Sequence, residues 1–501
     1  MRSDEQNRQI LILSGIVIIA AVLRFYRLGH QSFWIDEILT AGSYASPPEG
    51  ISYWRKLLWD MHGPLYSLVM HYWSIVRSSE AWLRFPGAFA GVGSVILMYR
   101  WMSSITDWKT AMTGACLLAV SPFHIYYSQE MRFYSFLVLF VLLSLIAFKR
   151  FLDDPCRKSG VILGVTLGLA CLSHFMAVFL CGGFLIYIVA SGRLRGKWVR
   201  PGLIAAMITL VIVSPWIYRE IYFLRRIDVV SISTLPDESR LRGDLTLNRW
   251  AYPYSFFAFS TGFSFGPDLN QLHLVSSGKE LLRSHGWWII PAGIVFSALT
   301  VAGLFRSRRE GLLGLFLSIS LTSLGLVTTA ALMNIKVFNV RYLICFFPIY
   351  LATLALGIRS RRIWAPPALA AVVLIMLYST WNYHMVDHYS RDDFRSAADT
   401  VTENMNAGDL VILSCGRDVF EHYYDKKNDI VEYSPLTIGN EKTRSRLESQ
   451  LSEYRRVWYL GCREWDVDPD GIFIKTLYSA SEEGRIWEFT GIRLFLVKGG
   501  E

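Results

Sequence analysis

The sequence predicts a mainly α, polytopic helical membrane protein that ends in a small α/β domain. Two observations carry that expectation and a third divides the chain. First, 52% of the 501 residues are hydrophobic and 18% are charged, with a mean hydropathy of +0.32. A soluble surface of this size needs more charge than that. Second, the apolar residues gather in long runs. A run of roughly 18 or more can cross the hydrocarbon core as a helix with every backbone group satisfied internally. Third, polar helix and strand patterns replace the runs toward the C-terminus, so the expected domains are 1–381 and 382–501.

The elements follow in order. The N-terminal MRSDEQNRQ leads into ILILSGIVIIAAVL, an uncleaved first span because no small-residue cleavage site follows. About eleven transmembrane helices are expected, at 10–28, 85–104, 111–128, 133–151, 159–173, 176–191, 201–218, 287–305, 311–331, 342–358 and 364–381. The stretch 63–78 is a further apolar segment, and the basic connections decide its state. Arg100 and Lys109, then Lys149, Arg150, Arg157 and Lys158, then 192–200, 306–309 and 359–362 all fall on one side if 63–78 does not cross. The positive-inside rule makes that side cytoplasmic and makes 63–78 an interfacial or re-entrant helix. The outward regions are then the loop 29–84, the turn near 128–133, the turn at His174, the loop 219–286, the turn 332–341 and the tail. Within the tail, DDFRSAADTVTENM and EKTRSRLESQLSEYRR read as helices and GDLVILSC and VWYLG as strands. RIWEFTGIRLFLVKG reads as two strands around Gly491, which completes an α/β domain.

The net charge of +9 belongs first to cytoplasmic loops and anionic headgroups. No basic stripe is interleaved with aromatics on a soluble element, so nucleic acid is not an expected partner. Of the seven cysteines, none forms a CxxC or zinc-type spacing. Cys415 and Cys462, both in the tail, can pair if that domain lies outside; two free thiols fit equally well.

The polar residues with chemical potential lie in the outward regions. In FWIDEILTAGSY, Asp36 and Glu37 form an acidic pair just after the first span. An interfacial helix start explains such a pair, and so does a general base taking the proton from an attacking hydroxyl or amine. His62 opens H-G-P-L-Y, where Pro64 suits a first helical turn and a surface histidine is the plain alternative. Arg84, in R-F-P-G, either snorkels to headgroups or binds phosphate through its guanidinium fork. In SPFHIYYSQEMRFY, His124, Gln129, Glu130, Arg132 and Tyr134 crowd a span boundary, where ionisable groups are costly and functional by default. Lys336 and Arg341 mark the outer end of the tenth span, and Arg225, Arg226, Arg240 and Arg242 lie in the loop 219–286. There is no P-loop, GxSxG or HExxH.

The order of these pieces is more specific than any one of them. An acidic pair after the first span, then H-G-P-L-Y, R-F-P-G, S-P-F-H-x-Y-Y-S-Q-E-x-R-x-Y and a late R-Y resembles the polytopic GT-C type membrane glycosyltransferases. More narrowly, it is similar to bacterial relatives of the protein O-mannosyltransferases and of the aminoarabinose lipid A transferase. The resemblance covers about 10–360 and the start of the tail, 391–413.

It implies an inverting transfer of a sugar from a polyprenyl-phosphate-linked donor to a glycolipid, polysaccharide or protein acceptor. The reaction is implied at the outer face of the inner membrane, with the N-terminus cytoplasmic and the tail extracytoplasmic. Asp36 matches the catalytic base and Glu37 completes the acidic pair. Arg84 and Arg341 match phosphate-binding arginines, Glu130 and Arg132 further active-site groups, and His62 a substrate-side motif position. The turn 128–132 lacks a DxD-like pair, so neither a metal nor another cofactor is expected.

A lipid-linked glycan ligase or polymerase is the nearest alternative. A transporter predicts inverted repeats and mid-membrane polar groups, and a non-catalytic scaffold leaves the motif order unexplained.

Overall fold

The computed structural model describes residues 2–44, 63–224, 247, 250–268, 271–272, 278–333, 338–426, 429–480 and 484–498. Among the described residues, fifteen α-helices precede the tail. They are α1 Arg2–Phe25, α2 Ile35–Tyr44, α3 Pro64–Ser74, α4 Glu80–Ser103, α5 Trp108–Val120, α6 Pro122–Ser128, α7 Tyr134–Asp153 and α8 Arg157–Ser173. After them come α9 Val178–Ala190, α10 Val199–Leu224, α11 Ala251–Thr261, α12 Gly278–Arg309, α13 Leu313–Leu332, α14 Phe347–Ile358 and α15 Ala365–Met385. Every expected span window is occupied by helix. Among the described residues, 8 helices are long and apolar enough to cross a membrane. The window 111–128 is instead two short helices, and α8 and α9 are short.

Contacts divide the chain into two compact units. One is Met1–Leu28 with Ser43–Tyr383, and the other is Gly29–Gly42 with His384–Glu501. The segment 29–42 read as part of the first outer loop, yet it packs with the tail.

In the membrane unit, the interior is made by close helix approach. Gly160, Gly164 and Gly168 repeat every four residues on α8 and face α10; a Cβ on Gly164 would stand 2.7 Å from the Ala205 carbonyl. Such a stripe of small residues lets dispersion replace the hydrophobic effect that lipid cannot supply. The helix α3 has 11 residues and rises about 17 Å, too short for a bilayer core of about 30 Å. Trp73 and Trp82 stack at 4.3 Å, and each indole donates to the other's carbonyl, at 2.7 and 3.1 Å. That clasp fixes the entry into α4.

Three of the basic connections, around Asp107, Arg306 and Arg359, meet at one end of this unit. Asp107 caps α5 by accepting from the Lys109 and Thr110 amides, and Arg306 reaches it at 3.1 Å. Arg306 also donates to the Arg359 carbonyl at 2.7 Å. Helix α4 carries Arg84 near its start and Arg100 in its last turn, with about 36 Å of helix overall. The candidate residues at the start of α4 are thus a helix length from the basic end.

The C-terminal unit holds a five-stranded sheet of order β2-β1-β3-β5-β4, with β1 Leu410–Leu413, β2 Asp429–Glu432, β3 Arg456–Cys462, β4 Gly484–Phe489 and β5 Ile492–Lys498. Strands β1, β2 and β3 are parallel; β5 and β4 are antiparallel, as the tight turn at Gly491 requires. Leu410, Ile412, Val457, Tyr459, Phe495 and Val497 alternate onto one face and pack beneath Leu447, Leu451, Phe473 and Leu477. The strand patterns at β1, β3, β4 and β5 are found as read. Strand β2 is half exposed and only four residues long, so it carries no alternation to read. Cys415 and Cys462 form a disulfide where β1 and β3 end, with Cα atoms 6.1 Å apart.

Replacing both cysteines by serine should lower the stability of this unit by roughly 2–4 kcal/mol, because the bond closes a separation of 47 residues. Urea unfolding read by pulse proteolysis of the tail measures the loss.

Candidate active site

The site in the membrane unit is built around a helix break. Helix α5 stops at Val120 and α6 starts at Pro122, with Ser121 between them in extended conformation. The Leu118 carbonyl would normally receive the amide four residues on, but Pro122 has none. Arg24, near the end of α1, supplies the missing donors. Its Nη2 donates to the Leu118 carbonyl at 2.8 Å and meets His124 Nδ1 at 2.9 Å. Its Nη1 donates to the carbonyls of Ala119 at 2.8 Å and Ala20 at 3.2 Å. Arg24 and His124 are wholly buried. Sequence reasoning missed Arg24; its signal was an arginine at the end of the first apolar run, inside the expected span 10–28.

Two glycines on α4 admit this arrangement. A Cβ on Gly87 would stand 3.1 Å from the Glu130 carbonyl, and one on Gly91 would stand 2.9 Å from Arg24 Nε and overlap Ser128 Oγ. Arg84 lies on the same helical face, three residues before Gly87. It is buried, and its Nη1 donates to the Leu28 carbonyl at 3.1 Å. Gln129 ties the turn 129–133 to the end of α1 by donating to the carbonyls of Arg24 at 3.0 Å and Tyr26 at 2.8 Å.

That turn carries Glu130, wholly buried, and Arg132, nearly so. The Arg132 guanidinium lies 5.2 Å from the centre of the Phe133 ring, which stacks on His174 at 4.3 Å. Arg341 enters from the 3-10 helix Val340–Phe346, whose cap Asn339 accepts from the Arg341 amide at 3.1 Å. The buried phenol of Tyr127 is within electrostatic range of both Glu130 and Arg341. Arg84, at the start of α4, and Glu130 and Arg132, on the turn between α6 and α7, therefore lie at helix ends away from the basic connections. A guanidinium fork is the side chain best matched to a phosphate.

His62, Lys336, Arg225, Arg226, Arg240 and Arg242 lie outside the described residues. The rest of the H-G-P-L-Y motif is structural: Gly63 sits against the Leu172 and Ser173 backbone, and Tyr66 meets Phe136 edge-on at 5.3 Å. Among the described residues, no three His, Cys, Asp or Glu side chains form a group that could hold a metal ion.

An apolar groove of about 660 Å³ opens between α11 and α12. Trp250, Tyr254, Phe257, Phe263, Phe265 and Phe296 line it, and the hydrogen-bonded hydroxyls of Ser260 and Tyr350 add a polar point to its wall. The loop reading of 219–286 hid it, because its aromatic wall is a helix.

Asp36 and Glu37 belong to the C-terminal unit. Both stand in the first turn of α2, where the helix dipole favours carboxylates. Asp36 is partly exposed; Glu37 is wholly buried and paired to Arg391 at 2.9 Å.

The sequence model of the dolichyl-phosphate-mannose-protein mannosyltransferase family matches residues 61–218. No curated protein matches the chain. Among solved structures, the oligosaccharyltransferase AglB of Archaeoglobus fulgidus with an inhibitory peptide and a dolichol-phosphate has a TM-score of 0.51 at 12% identity, over 91% of this chain and 69% of its own. The same enzyme tethered to an acceptor peptide gives 0.50 at 12% identity, over 98% and 74%. ArnT of Cupriavidus metallidurans in its apo state gives 0.46 at 12% identity, over 98% of each chain. The chain thus shares the fold of a GT-C membrane glycosyltransferase, and the resemblance drawn from its motifs is found again in the family match.

Arg24→Leu should cost about 2–5 kcal/mol, since it leaves several buried carbonyls without donors. Gly91→Val should destabilise by overlap with Ser128 and Arg24. Thermal unfolding in detergent checks both.

Proposed function

We propose that the chain is an inverting glycosyltransferase that moves a sugar from a polyprenyl-phosphate-linked donor to an acceptor at the outer face of the inner membrane. The observation that carries this reading is the family match over 61–218, which contains His62, Arg84, Glu130 and Arg132. Arginine suits the donor's phosphate and an apolar groove suits its hydrocarbon chain.

In this reading Asp36 is the catalytic base. It takes the proton from the acceptor hydroxyl or amine as that atom attacks the anomeric carbon. The bond from the anomeric carbon to the phosphate oxygen breaks on the opposite face, so configuration inverts. Negative charge grows on the departing polyprenyl phosphate. Preorganised donors aimed at that charge stabilise the transition state more than they stabilise bound donor. Arg84, Arg132 and Arg341 take this role, and His62 and Glu130 bind on the sugar side.

The outward assignment has two supports. The connections around Asp107, Arg306 and Arg359 share one end of the membrane unit and are rich in Lys and Arg, as a cytoplasmic face requires. The Cys415–Cys462 disulfide suits an oxidising compartment for the C-terminal unit.

The likeness to an oligosaccharyltransferase favours one second reading, transfer of a whole lipid-linked glycan in place of a single sugar. The mass added to the acceptor separates the two.

Asp36→Asn should lower label transfer from radiolabelled polyprenyl-phosphate sugars by about 100-fold or more, with donor binding retained. Arg84→Ala should lower it by about 100- to 1,000-fold and weaken donor binding. Equal transfer by wild type and Asp36→Asn would remove Asp36 as the base. Transfer should persist in EDTA, because the turn 128–132 holds a single acidic residue.

A further inference from the structure

In the C-terminal unit, Glu37 and Arg391 form an ion pair across 354 residues of sequence. The Glu37 side chain is 0% exposed and that of Arg391 5%. A buried pair of this kind adds little net stability over an apolar pair, but removing one partner takes away the opposite charge that offsets the other's burial. Its value lies in direction, because a guanidinium holds a carboxylate at a defined distance and angle.

The surrounding contacts point the same way. The Ser32 hydroxyl donates to the Asp392 carbonyl at 2.7 Å, and the Phe33 amide donates to the Tyr423 hydroxyl at 2.7 Å. Arg395 reaches the carbonyls of His30, Gly29 and Gln31 at 3.3–3.4 Å. The tail segment is itself anchored to the sheet, since the Asp393 amide donates to the Thr490 carbonyl at 2.9 Å beside the β4–β5 turn. A chain of contacts thus runs from that turn through Arg391 to Glu37. Successive helical residues point about 100° apart. Fixing Glu37 inward therefore fixes the direction of Asp36, its neighbour on α2.

We propose that Arg391 is a positioning residue: through Glu37, its partner within the C-terminal unit, it orients Asp36. This rests on the reading of Asp36 as the base. It assigns Glu37 to orientation and not to proton transfer.

The test uses the full chain in detergent and two readouts. The first is amide hydrogen exchange over 29–41, which needs no substrate. The second is steady-state label transfer from a panel of glucosyl-, mannosyl-, galactosyl-, arabinosyl- and aminoarabinosyl-phosphoryl polyprenols with membrane extract as acceptor. Arg391→Ala and Glu37→Gln should each raise exchange over 29–41. Each should lower kcat by about 10- to 100-fold, the effect of misplacing a reacting group by about 1 Å, with the donor KM within about twofold. The double variant should be no worse than Arg391→Ala alone, and Arg391→Lys should recover part of kcat. Unchanged exchange over 29–41, additive losses in the double variant, or a loss confined to KM would each overturn the proposal. Asp36→Asn is carried alongside. If it transfers like wild type, the base reading fails, while exchange and the double variant still report whether Arg391 holds the segment.

Discussion

A bilayer has no water to satisfy a broken helix, and the membrane unit is organised around one such break. Pro122 leaves the Leu118 carbonyl without its usual donor, and burial would make that loss expensive. Arg24 resolves it from another helix, at 2.8 Å. Once the guanidinium is placed, the end of α1, the end of α5 and the start of α6 are fixed to one another. Gln129 then fastens the turn 129–133 to the same end of α1. The positions of Glu130 and Arg132 follow from how an orphan carbonyl is satisfied.

The same economy of polar groups sorts the charges to the two ends of the unit. Ionisable residues within the hydrocarbon region need partners close by, so they collect where helices end. At one end, Arg306 bridges Asp107, Glu310 and the Arg359 carbonyl. At the other, Arg84 donates to the Leu28 carbonyl and Arg132 lies over the Phe133 ring. Glycines at 63, 87 and 91 matter because they let backbone and turn come within contact distance there. A side chain at any of them would push the polar groups apart.

Much of this was legible from sequence, and the failures have physical causes. The apolar runs located helices in all eleven windows, because the 20-residue scale of a span is a strong signal. They did not show that 111–128 breaks, although Ser121-Pro122 stood in plain view; a proline in an apolar run reads as a kink until its lost donor is replaced from elsewhere. Strands β1, β3 and β5 were legible because they are apolar and bounded by turn residues. The motif order pointed to Arg84, Glu130, Arg132 and Arg341, and the fold buries Arg84, Glu130 and Arg132 near helix ends. It said nothing of Arg391, because a partner 354 residues away leaves no periodicity and no spacing to read. The assignment of 29–42 to the membrane part failed for the same reason.

Arg24 and Arg84 show why position alone cannot separate a scaffold arginine from a working one. Both sit near the end of an apolar run, both are buried, and both donate to a backbone carbonyl. Snorkelling would account for either. Their surroundings differ. Arg24 divides its donors among three carbonyls and an imidazole, all internal to the helix junction, and its charge is spread over neutral dipoles. That environment suits a permanent clamp, since nothing in it changes during a reaction. Arg84 stands beside a turn that carries a buried carboxylate and a second guanidinium. Arg84 lies within the family match over 61–218 and Arg24 lies outside it, so Arg24 is explained by the backbone it holds.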